Sequence, residues 1–161
     1  MSNTKIKAIV VTVSDSRRET DDVSGVTLLG LLLSIGAEVH EKIIVSDDFD
    51  HLRQTLYRLT EREDVNLILT TGGTGFAGRD NTPEATRAVI IKEAPGLAEA
   101  MRRETAKINP KAMLSRGVCG IRNNTLIINL PGSPRGVQEC FEVIKPVLQH
   151  AVNLLAGETK H

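Results

Sequence analysis

The chain has 161 residues, of which 40% are hydrophobic and 25% are charged. Its 20 basic and 20 acidic residues balance to a formal net charge of zero. This length and apolar content favour a single globular domain over residues 1–161 rather than a disordered chain. Neutral charge and an aromatic content of 2% argue against a nucleic-acid-binding surface, because such domains are usually strongly basic.

Cysteine content and hydropathy exclude further classes of protein. Cys119 and Cys140 cannot form a disulfide scaffold, and by themselves they cannot complete a zinc site. No apolar run approaches the roughly 18 residues that a membrane-spanning helix needs. The first residues pass directly into a strand pattern, without the apolar stretch of a signal peptide. We therefore expect a cytoplasmic protein that binds neither nucleic acid nor membrane.

Strand-like and helix-like segments alternate in the first half of the chain. Residues 7–14, 39–45 and 65–71 are apolar and rich in β-branched side chains, which is typical of buried strands. Residues 25–36 and 50–60 have the apolar spacing of helices. The helix at 25–36 is apolar around nearly its whole circumference, which indicates a subunit interface in addition to a core face.

The second half of the chain adds helices and one hairpin. Thr82, Pro83 and Glu84 combine an N-cap, a proline at the first helical position and an acid in the first turn, which predicts a helix extending to about residue 93. The remaining predicted elements are a helix over 96–107, a hairpin formed by 117–121 and 125–130, and a long last helix that opens at Ser133-Pro134 and is kinked at Pro146.

The order of these elements predicts a three-layer α/β/α domain. Helices should cover both faces of a mostly parallel sheet, with one antiparallel intrusion from the hairpin. In such folds ligands bind beyond the carboxyl ends of the strands. The sequence places polar residues at three of those ends, namely 14–15, 46–48 and the stretch that follows Thr71. We expect the functional site there.

The stretch after Thr71 begins with the run Gly72-Gly73-Thr74-Gly75, called the glycine loop below. Glycines let a backbone approach a ligand closely, and free amides near a helix start favour anions. The spacing matches neither of the two common nucleotide-binding fingerprints. Arg79 could then pair with a phosphate, and Asp80 with a metal ion or a ligand hydroxyl. The alternatives are a plain connecting turn and an ion pair between these two neighbouring charges.

Asp47 follows the second predicted strand and is the other candidate acid. Asp47 and Asp48 could both be solvated residues that begin the next helix. The topology, however, brings Asp47 to the same sheet edge as Asp80. Two carboxylates beside an anion-binding loop are explained by an intervening Mg²⁺, because Mg²⁺ takes one or two carboxylates together with substrate phosphates.

The other polar candidates are weaker when they are taken singly. Ser133, after Pro131-Gly132, is either an ordinary helix cap or part of an anion site. Ser115 and Arg116 could offer a hydroxyl and a guanidinium to an anionic group. Both cysteines lie in apolar patterns and the histidines lack ligand spacing, so no covalent nucleophile is evident. The residues indicate a protein that holds two anionic reactants and a metal ion rather than attacking a reactant itself.

Three separated segments carry a family resemblance that covers almost the whole chain. Residues 71–84, 114–116 and 126–134, in this order, resemble the MoaB/MogA family of molybdenum cofactor biosynthesis proteins. The acidic segment 21–25, which follows two arginines, is most similar to the MoaB branch of that family.

The resemblance implies a three-layer α/β/α fold and a homo-oligomer, either a trimer or a hexamer. Active members are molybdopterin adenylyltransferases, which use Mg²⁺ to transfer AMP from ATP to the terminal phosphate of molybdopterin and release pyrophosphate. By resemblance, Asp47 and Asp80 are the catalytic and metal-binding pair. The residues that the resemblance implies to bind molybdopterin or nucleotide are Ser14, Asp15, Gly72, Gly73, Thr74, Gly75, Ser115, Pro131, Gly132 and Ser133. Arg79 and Arg116 are added to these ligand-binding candidates because of their positive charge.

Two other functions stay open at this point. Some MoaB-type members lack demonstrable catalysis, so the chain could be a non-catalytic molybdopterin-binding protein that works with other cofactor-assembly proteins. It could also be a regulatory domain that binds nucleotides. Gly78 departs from the family pattern, in which many members have proline, and it leaves the backbone before Arg79 and Asp80 less restrained.

Overall fold

The computed structural model describes residues 3–159, and over that range it contains six strands and five α-helices. The strands are β1 (Lys7–Val13), β2 (Glu38–Val45), β3 (Leu67–Thr71), β4 (Lys92–Glu93), β5 (Cys119–Arg122) and β6 (Thr125–Leu130). The helices are α1 (Val23–Ser34), α2 (Phe49–Thr60), α3 (Thr82–Arg87), α4 (Pro95–Ala106) and α5 (Pro134–Leu155), and a 3-10 helix covers Pro110–Leu114.

All six strands form one sheet in the order β2-β1-β3-β6-β5-β4. The pairs β1–β2, β1–β3 and β3–β6 are parallel, whereas β5 is antiparallel to both of its neighbours. Within residues 3–159, therefore, β5 is the one strand that runs against the others. The predicted sheet, mostly parallel with a single antiparallel intrusion, is confirmed.

The sheet is buried on both faces, because alternate residues of its central strands enter two separate apolar clusters. Val10 and Leu69 pack with helices α1, α4 and α5 on one face. Val11 and Ile68 pack with α2 and α3 on the other face. Side chains of a strand alternate between faces, so a strand with helices on both sides must be apolar throughout. This arrangement confirms the predicted three layers.

The predicted helix from Thr82 to about residue 93 is wrong in its length and its cap. Helix α3 ends at Arg87, and Lys92–Glu93 forms the short edge strand β4 instead. The amide of Ile91 donates to the Ile121 carbonyl at 2.8 Å, so the backbone bonds of this segment go to β5 rather than to another helical turn. Asn81 occupies the N-cap position, and Thr82 is the first helical residue.

The carboxyl ends of the parallel strands are joined to one another by short hydrogen bonds. The Ser14 amide donates to the Val45 carbonyl at 2.9 Å, which links the ends of β1 and β2. The Thr71 hydroxyl donates to the Pro131 carbonyl at 2.7 Å, which links the ends of β3 and β6. The polar segments expected at this edge are thus held side by side. Among the described residues, no helix has the length and apolar character needed to cross a membrane.

Candidate functional site

The glycine loop begins with a tight turn in which Gly72 and Gly73 leave no room for side chains. Gly72 and Gly73 have φ angles of +101° and +67°, which L-residues rarely adopt. A Cβ on Gly72 would lie 2.5 Å from the carbonyl oxygen of Val13. Thr82 holds the turn from α3, since its hydroxyl donates to the Gly72 carbonyl at 2.9 Å and its amide to the Gly73 carbonyl at 3.1 Å.

Three carboxylates, Asp15, Asp47 and Asp80, surround one side of this loop and are called the acid cluster. The amide of Asp15 donates to Asp47 Oδ2 at 2.9 Å, and the amide of Asp47 donates to Asp15 Oδ1 at 3.0 Å. Asp47 Oδ1 lies 3.3 Å from the position of a Cβ on Gly73, and Asp80 Oδ2 lies 2.9 Å from that of a Cβ on Gly75. The two aspartates singled out from the sequence therefore meet at the same loop.

Asp47 and Asp48 have different roles despite their adjacency. The Asp48 carboxylate caps α2 by accepting the His51 amide at 2.9 Å, as expected of an acid at a helix start. Asp47 does not cap the helix, because its side chain turns to Asp15 and the glycine loop. The Asn81 side-chain amide donates to the Asp47 carbonyl at 3.0 Å, so Asp47 is also tied to the residue that follows Asp80.

Negative charge accumulates in the acid cluster. Burial raises the pKa of Asp47, and the negative charges of Asp15 and Asp80 raise it further. The hydrogen bond from the Asp15 amide and the charge of Arg79 act in the opposite direction but do not cancel the increase. The pKa of Asp15 is lowered, chiefly by its hydrogen bonds from Arg79. Asp80 is thus within electrostatic range of Asp47, and a cation between them would relieve their repulsion.

The donor set fits Mg²⁺ that is shared with a phosphate ligand. Over residues 3–159 no group of three or more His, Cys, Asp or Glu side chains has the arrangement of a metal site. A closed cage of protein ligands is not what Mg²⁺ requires, since it commonly uses one or two carboxylates and completes its shell with phosphate oxygens and water. Asp47 and Asp80 offer such a pair, with the glycine loop beside them.

Arg79 pairs with Asp15 rather than with its neighbour Asp80. Its Nε donates to Asp15 Oδ2 at 2.6 Å and its Nη2 to Asp15 Oδ1 at 3.0 Å, which is a bidentate contact. Asp80 Oδ2 instead accepts the amide of Ala77 at 3.0 Å. The ion pair between Arg79 and Asp80 considered from the sequence does not form, and Arg79 bridges the loops after β1 and β3.

A concave pocket of about 280 Å³ lies on the other side of the glycine loop, against α4 and α5. Three cationic side chains, Arg102, Lys111 and Arg135, line this pocket, which is called the basic pocket below. Its remaining lining residues are Thr74, Gly75, Ala98, Met101, Thr105, Asn109, Ala112, Leu114, Ser115, Gly117, Asn129, Pro131, Ser133, Gly136, Glu139 and Cys140. Arg135 donates to Glu139 at 2.8 Å within this lining, and the two remaining cations give the pocket an excess of positive charge. Such a pocket suits an anionic ligand that also has apolar surface.

The glycine loop is shared between the two halves of the site. Thr74 and Gly75 line the basic pocket, while Gly73 and Gly75 face the carboxylates of the acid cluster. Of the other residues expected to bind ligand, Ser115, Pro131 and Ser133 also line the basic pocket.

Seven expected ligand-binding positions lie in the loops beside this pocket and do not line it, namely Ser14, Asp15, Gly72, Gly73, Arg79, Arg116 and Gly132. The Ser14 hydroxyl accepts the amides of Ser16 and Arg17 at 3.2 and 3.1 Å, so it shapes its own loop.

Two arginines contact the backbone of these loops. Arg17 Nη2 donates to the Gly132 carbonyl at 2.9 Å, and its Nη1 donates to the Ser24 hydroxyl. Arg116 was expected to bind an anionic ligand, but its guanidinium donates to protein acceptors: Nε to the Gly75 carbonyl at 2.8 Å and Nη2 to the Asp80 carbonyl at 2.8 Å. Both arginines therefore hold loops in the described structure.

The cysteines are buried, and burial raises the pKa of Cys119 to about 12 and that of Cys140 to about 11. Neither is a thiolate near neutral pH, in agreement with the interpretation that the site has no cysteine nucleophile. Cys140 differs from the expected core residue in one respect, because it also forms part of the wall of the basic pocket.

Sequence reasoning missed the three cations of the basic pocket. Arg102 lies in α4, Lys111 in the 3-10 helix and Arg135 at the start of α5, and each is indistinguishable from an ordinary surface charge in the sequence. The amphipathic patterns of α4 and α5 could have indicated this pocket, because the packing of these two helices brings the three cations together. Arg17 was missed because its acceptor, Gly132, is 115 residues away.

The fold and the site define an α/β/α protein with a candidate anion-binding site at the carboxyl edge of its sheet. Residues 9–150 match the family model described as a probable molybdopterin binding domain. This chain belongs to that family of molybdenum cofactor biosynthesis proteins.

Relatives and solved structures agree with this assignment. The chain is 41% identical over 153 residues to a molybdopterin adenylyltransferase of Helicobacter pylori, covering 92% of this chain and 86% of that protein. It is 45% identical over 152 residues to the molybdenum cofactor synthesis protein cinnamon of Drosophila melanogaster, covering 92% of this chain but only 25% of that protein. The molybdopterin biosynthesis enzyme MoaB of Thermus thermophilus superposes with a TM-score of 0.86 at 43% identity, covering 94% of this chain and 97% of that one.

Proposed function

We propose that this protein is a molybdopterin adenylyltransferase. An oxygen of the terminal phosphate of molybdopterin forms a bond to the α-phosphorus of ATP, the bond from that phosphorus to the bridging oxygen breaks, and pyrophosphate leaves. Relatives named molybdopterin adenylyltransferase, at 41% identity in Helicobacter pylori and 45% in Escherichia coli K12, support this assignment. ATP and Mg²⁺ are part of the proposal, as is a cytoplasmic location.

The observation that carries the proposal is the glycine loop between the acid cluster and the basic pocket. Adenylyl transfer joins two anions, so its barrier is lowered by holding both reactants in line and neutralising their charge. A basic pocket can hold one anion, here the molybdopterin, while the acid cluster faces the other through a cation. Reacting phosphates could then meet across Thr74 and Gly75, which lie between the acid cluster and the basic pocket.

Mg²⁺ would be held by Asp47 and Asp80, and it would neutralise charge on the phosphate oxygens of the nucleotide. Burial and neighbouring charge raise the pKa of Asp47, so binding of a cation also removes an unfavourable repulsion. Arg79, held by Asp15 beside the acid cluster, would add a positive charge near a polyphosphate bound there.

The test is incubation of the protein with molybdopterin, ATP and Mg²⁺, followed by measurement of AMP transfer and pyrophosphate release. We expect Asp80→Ala and Asp47→Ala to lose turnover by at least about 100-fold while keeping the fold and binding of molybdopterin. Asp50→Ala, which removes an exposed acid of α2, is the matched control and should keep full activity. Turnover retained in Asp80→Ala would remove that residue from the mechanism. Molybdopterin binding without any pyrophosphate release would identify the wild-type chain as a non-catalytic binding protein.

We also propose a homo-oligomer, a trimer or a hexamer, with α1 at the interface. Leu28 and Leu32 are fully buried in the core, but Val23, Val26 and Leu33 of the same helix are 59%, 53% and 56% exposed. An apolar strip of this kind is typical of an association surface. Light scattering at micromolar concentration is the test, and a monomer would contradict the proposal. Val26→Lys should then shift the assembly toward monomers.

A further inference from the structure

We propose that Arg116 is a positioning residue that fixes Asp80 and the glycine loop, and that it does not bind the substrate. The proposal rests on the adenylyltransferase function given above. Arg116 donates hydrogen bonds both to the glycine loop and to Asp80. Its amide donates to the Thr74 carbonyl, its Nε to the Gly75 carbonyl and its Nη2 to the Asp80 carbonyl, each at 2.8 Å.

The guanidinium has little capacity left for a ligand. Arg116 Nη1 donates to both carboxylate oxygens of Glu84, at 2.8 and 3.0 Å, so all three guanidinium nitrogens have protein acceptors. Glu84 lies in α3, and its carboxylate anchors the guanidinium to the helix that follows the glycine loop. A planar fork that bonds a carboxylate and two carbonyls at once is specific to arginine, because lysine offers only a point charge.

The backbone between Gly75 and Asp80 has few other restraints. Phe76 is 71% exposed, and a Cβ on Gly78 would meet no atom within 4 Å. The Ala77 amide donates to the Asp80 carboxylate and the Asp80 amide donates to the Ala77 carbonyl, but these bonds lie within the loop itself. Besides the bidentate pair between Arg79 and Asp15, the bonds from Arg116 to the Gly75 and Asp80 carbonyls connect this segment to the rest of the domain.

The same segment also connects to the basic pocket. Ser115 lines the pocket, and Arg102 Nη1 donates to the Ser115 carbonyl at 3.3 Å and to the Gly117 carbonyl at 2.9 Å. Residues 115–117 are thus held by Arg102 from the pocket side, while Arg116 reaches toward the acid cluster.

The test compares Arg116→Ala and Arg116→Lys with wild type and with Arg122→Ala. Arg122 is a matched control, since it is a partly buried, ion-paired arginine at the far end of β5, stacked 4.3 Å from the Tyr57 ring centroid. A displacement of a reacting group by about 1 Å costs on the order of 100-fold in rate. We expect both Arg116 variants to lose kcat by about that factor, with KM for molybdopterin changed less than threefold.

Two further measurements separate positioning from a general loss of stability. Hydrogen exchange of the amides in residues 72–80 should accelerate in Arg116→Ala but not in Arg122→Ala, and Mn²⁺ binding in the presence of a non-hydrolysable ATP analogue should weaken only in the former. Millimolar guanidinium should partly restore kcat to Arg116→Ala.

Each outcome bears on the proposal. Wild-type kcat and exchange rates in Arg116→Ala would overturn it, and a raised KM with unchanged kcat would show that Arg116 binds substrate. If Arg116→Ala does not fold, Arg116→Lys and Glu84→Gln carry the same comparison. If wild type transfers no AMP, the proposed function fails, while the exchange and Mn²⁺ measurements still decide whether Arg116 holds the loop.

Discussion

Gly25→Ala should destabilise the protein, although alanine is normally the better helix former. Gly25 lies in the first turn of α1, and a Cβ there would be 2.5 Å from Thr12 Oγ1 and closer still to Asp22 Oδ2. Asp22 is fully buried and caps α1, accepting the Gly25 amide at 3.1 Å, the Thr12 hydroxyl at 2.8 Å and Lys42 Nζ at 3.0 Å. The added methyl group must displace this carboxylate from its partners.

The size of the effect follows from what the displacement breaks. A hydrogen bond to a charged group contributes about 1.5–3 kcal/mol, an N-cap about 1 kcal/mol, and alanine returns about 1 kcal/mol of helix propensity. The net loss in the free energy of unfolding is therefore about 1.5–3 kcal/mol, which corresponds to a fall in Tm of about 3–12 °C for a domain of this size.

Urea unfolding and thermal melting measure this loss, and Gly96→Ala is the control. Gly96 lies in the first turn of α4 with no atom within 4 Å of an added Cβ, so its substitution should leave stability unchanged or slightly raised. Bonds from Thr12, Lys42 and Gly25 lower the pKa of Asp22 despite its burial, so wild-type stability should fall as pH drops through that lowered pKa. Equal stability of the two alanine variants would refute the reasoning.

Three further predictions concern the site. Asp47→Asn should stabilise the free protein near neutral pH while abolishing turnover, because burial raises the pKa of Asp47 and so disfavours its charged form. In urea unfolding, the stability of the wild type should decline as the pH rises through the titration of Asp47, whereas that of the variant should not. Arg79→Ala should raise the pKa of Asp15, measured by NMR titration, because Arg79 is the main cause of its lowered value. Asn129→Leu should cost about 1–3 kcal/mol in denaturant unfolding, because it leaves the buried Val118 amide without its 3.0 Å acceptor.

Specific results would contradict these three predictions. Lower stability of Asp47→Asn at neutral pH would show that the carboxylate stabilises the fold. An unchanged Asp15 titration in Arg79→Ala would mean that the bidentate pair is not maintained in solution. Wild-type stability of Asn129→Leu would mean that the Val118 amide finds another acceptor.

The layers of the fold could be predicted from the sequence because burial on both faces leaves a strong local signal. The strands β1 and β3 are mostly apolar and are buried along nearly their whole length, which is typical of a sheet with helices on both sides. The end of α3 could not be predicted in the same way. Its continuation beyond Arg87 depends on whether Ile91 bonds to a helical turn or to Ile121 in β5, and that choice is made by tertiary pairing.

The residues of the candidate site also differ in whether the sequence alone could predict their roles. Asp47 and Asp80 were predictable because they lie in the connections that follow β2 and β3, and the topology brings the carboxyl ends of parallel strands to one edge. The role of Arg116 could not be predicted, because a guanidinium beside a ligand-binding loop can bind either the ligand or the loop. Only the positions of Gly75, Asp80 and Glu84 in the fold show that Arg116 binds the protein. Arg102, Lys111 and Arg135 converge only through the packing of α4 against α5.

Thr74 and Gly75 lie between the acid cluster and the basic pocket, and this arrangement has a consequence for inhibitor design. A compound that joins a polyphosphate mimic to a planar heterocycle by a short tether would occupy both compartments at once. Its second half would bind as an intramolecular event, so its affinity should exceed that of either fragment by far more than the tether itself contributes. A tether longer than the thickness of one peptide strand should lower this gain in affinity, because it reduces the effective concentration of the second half at its site.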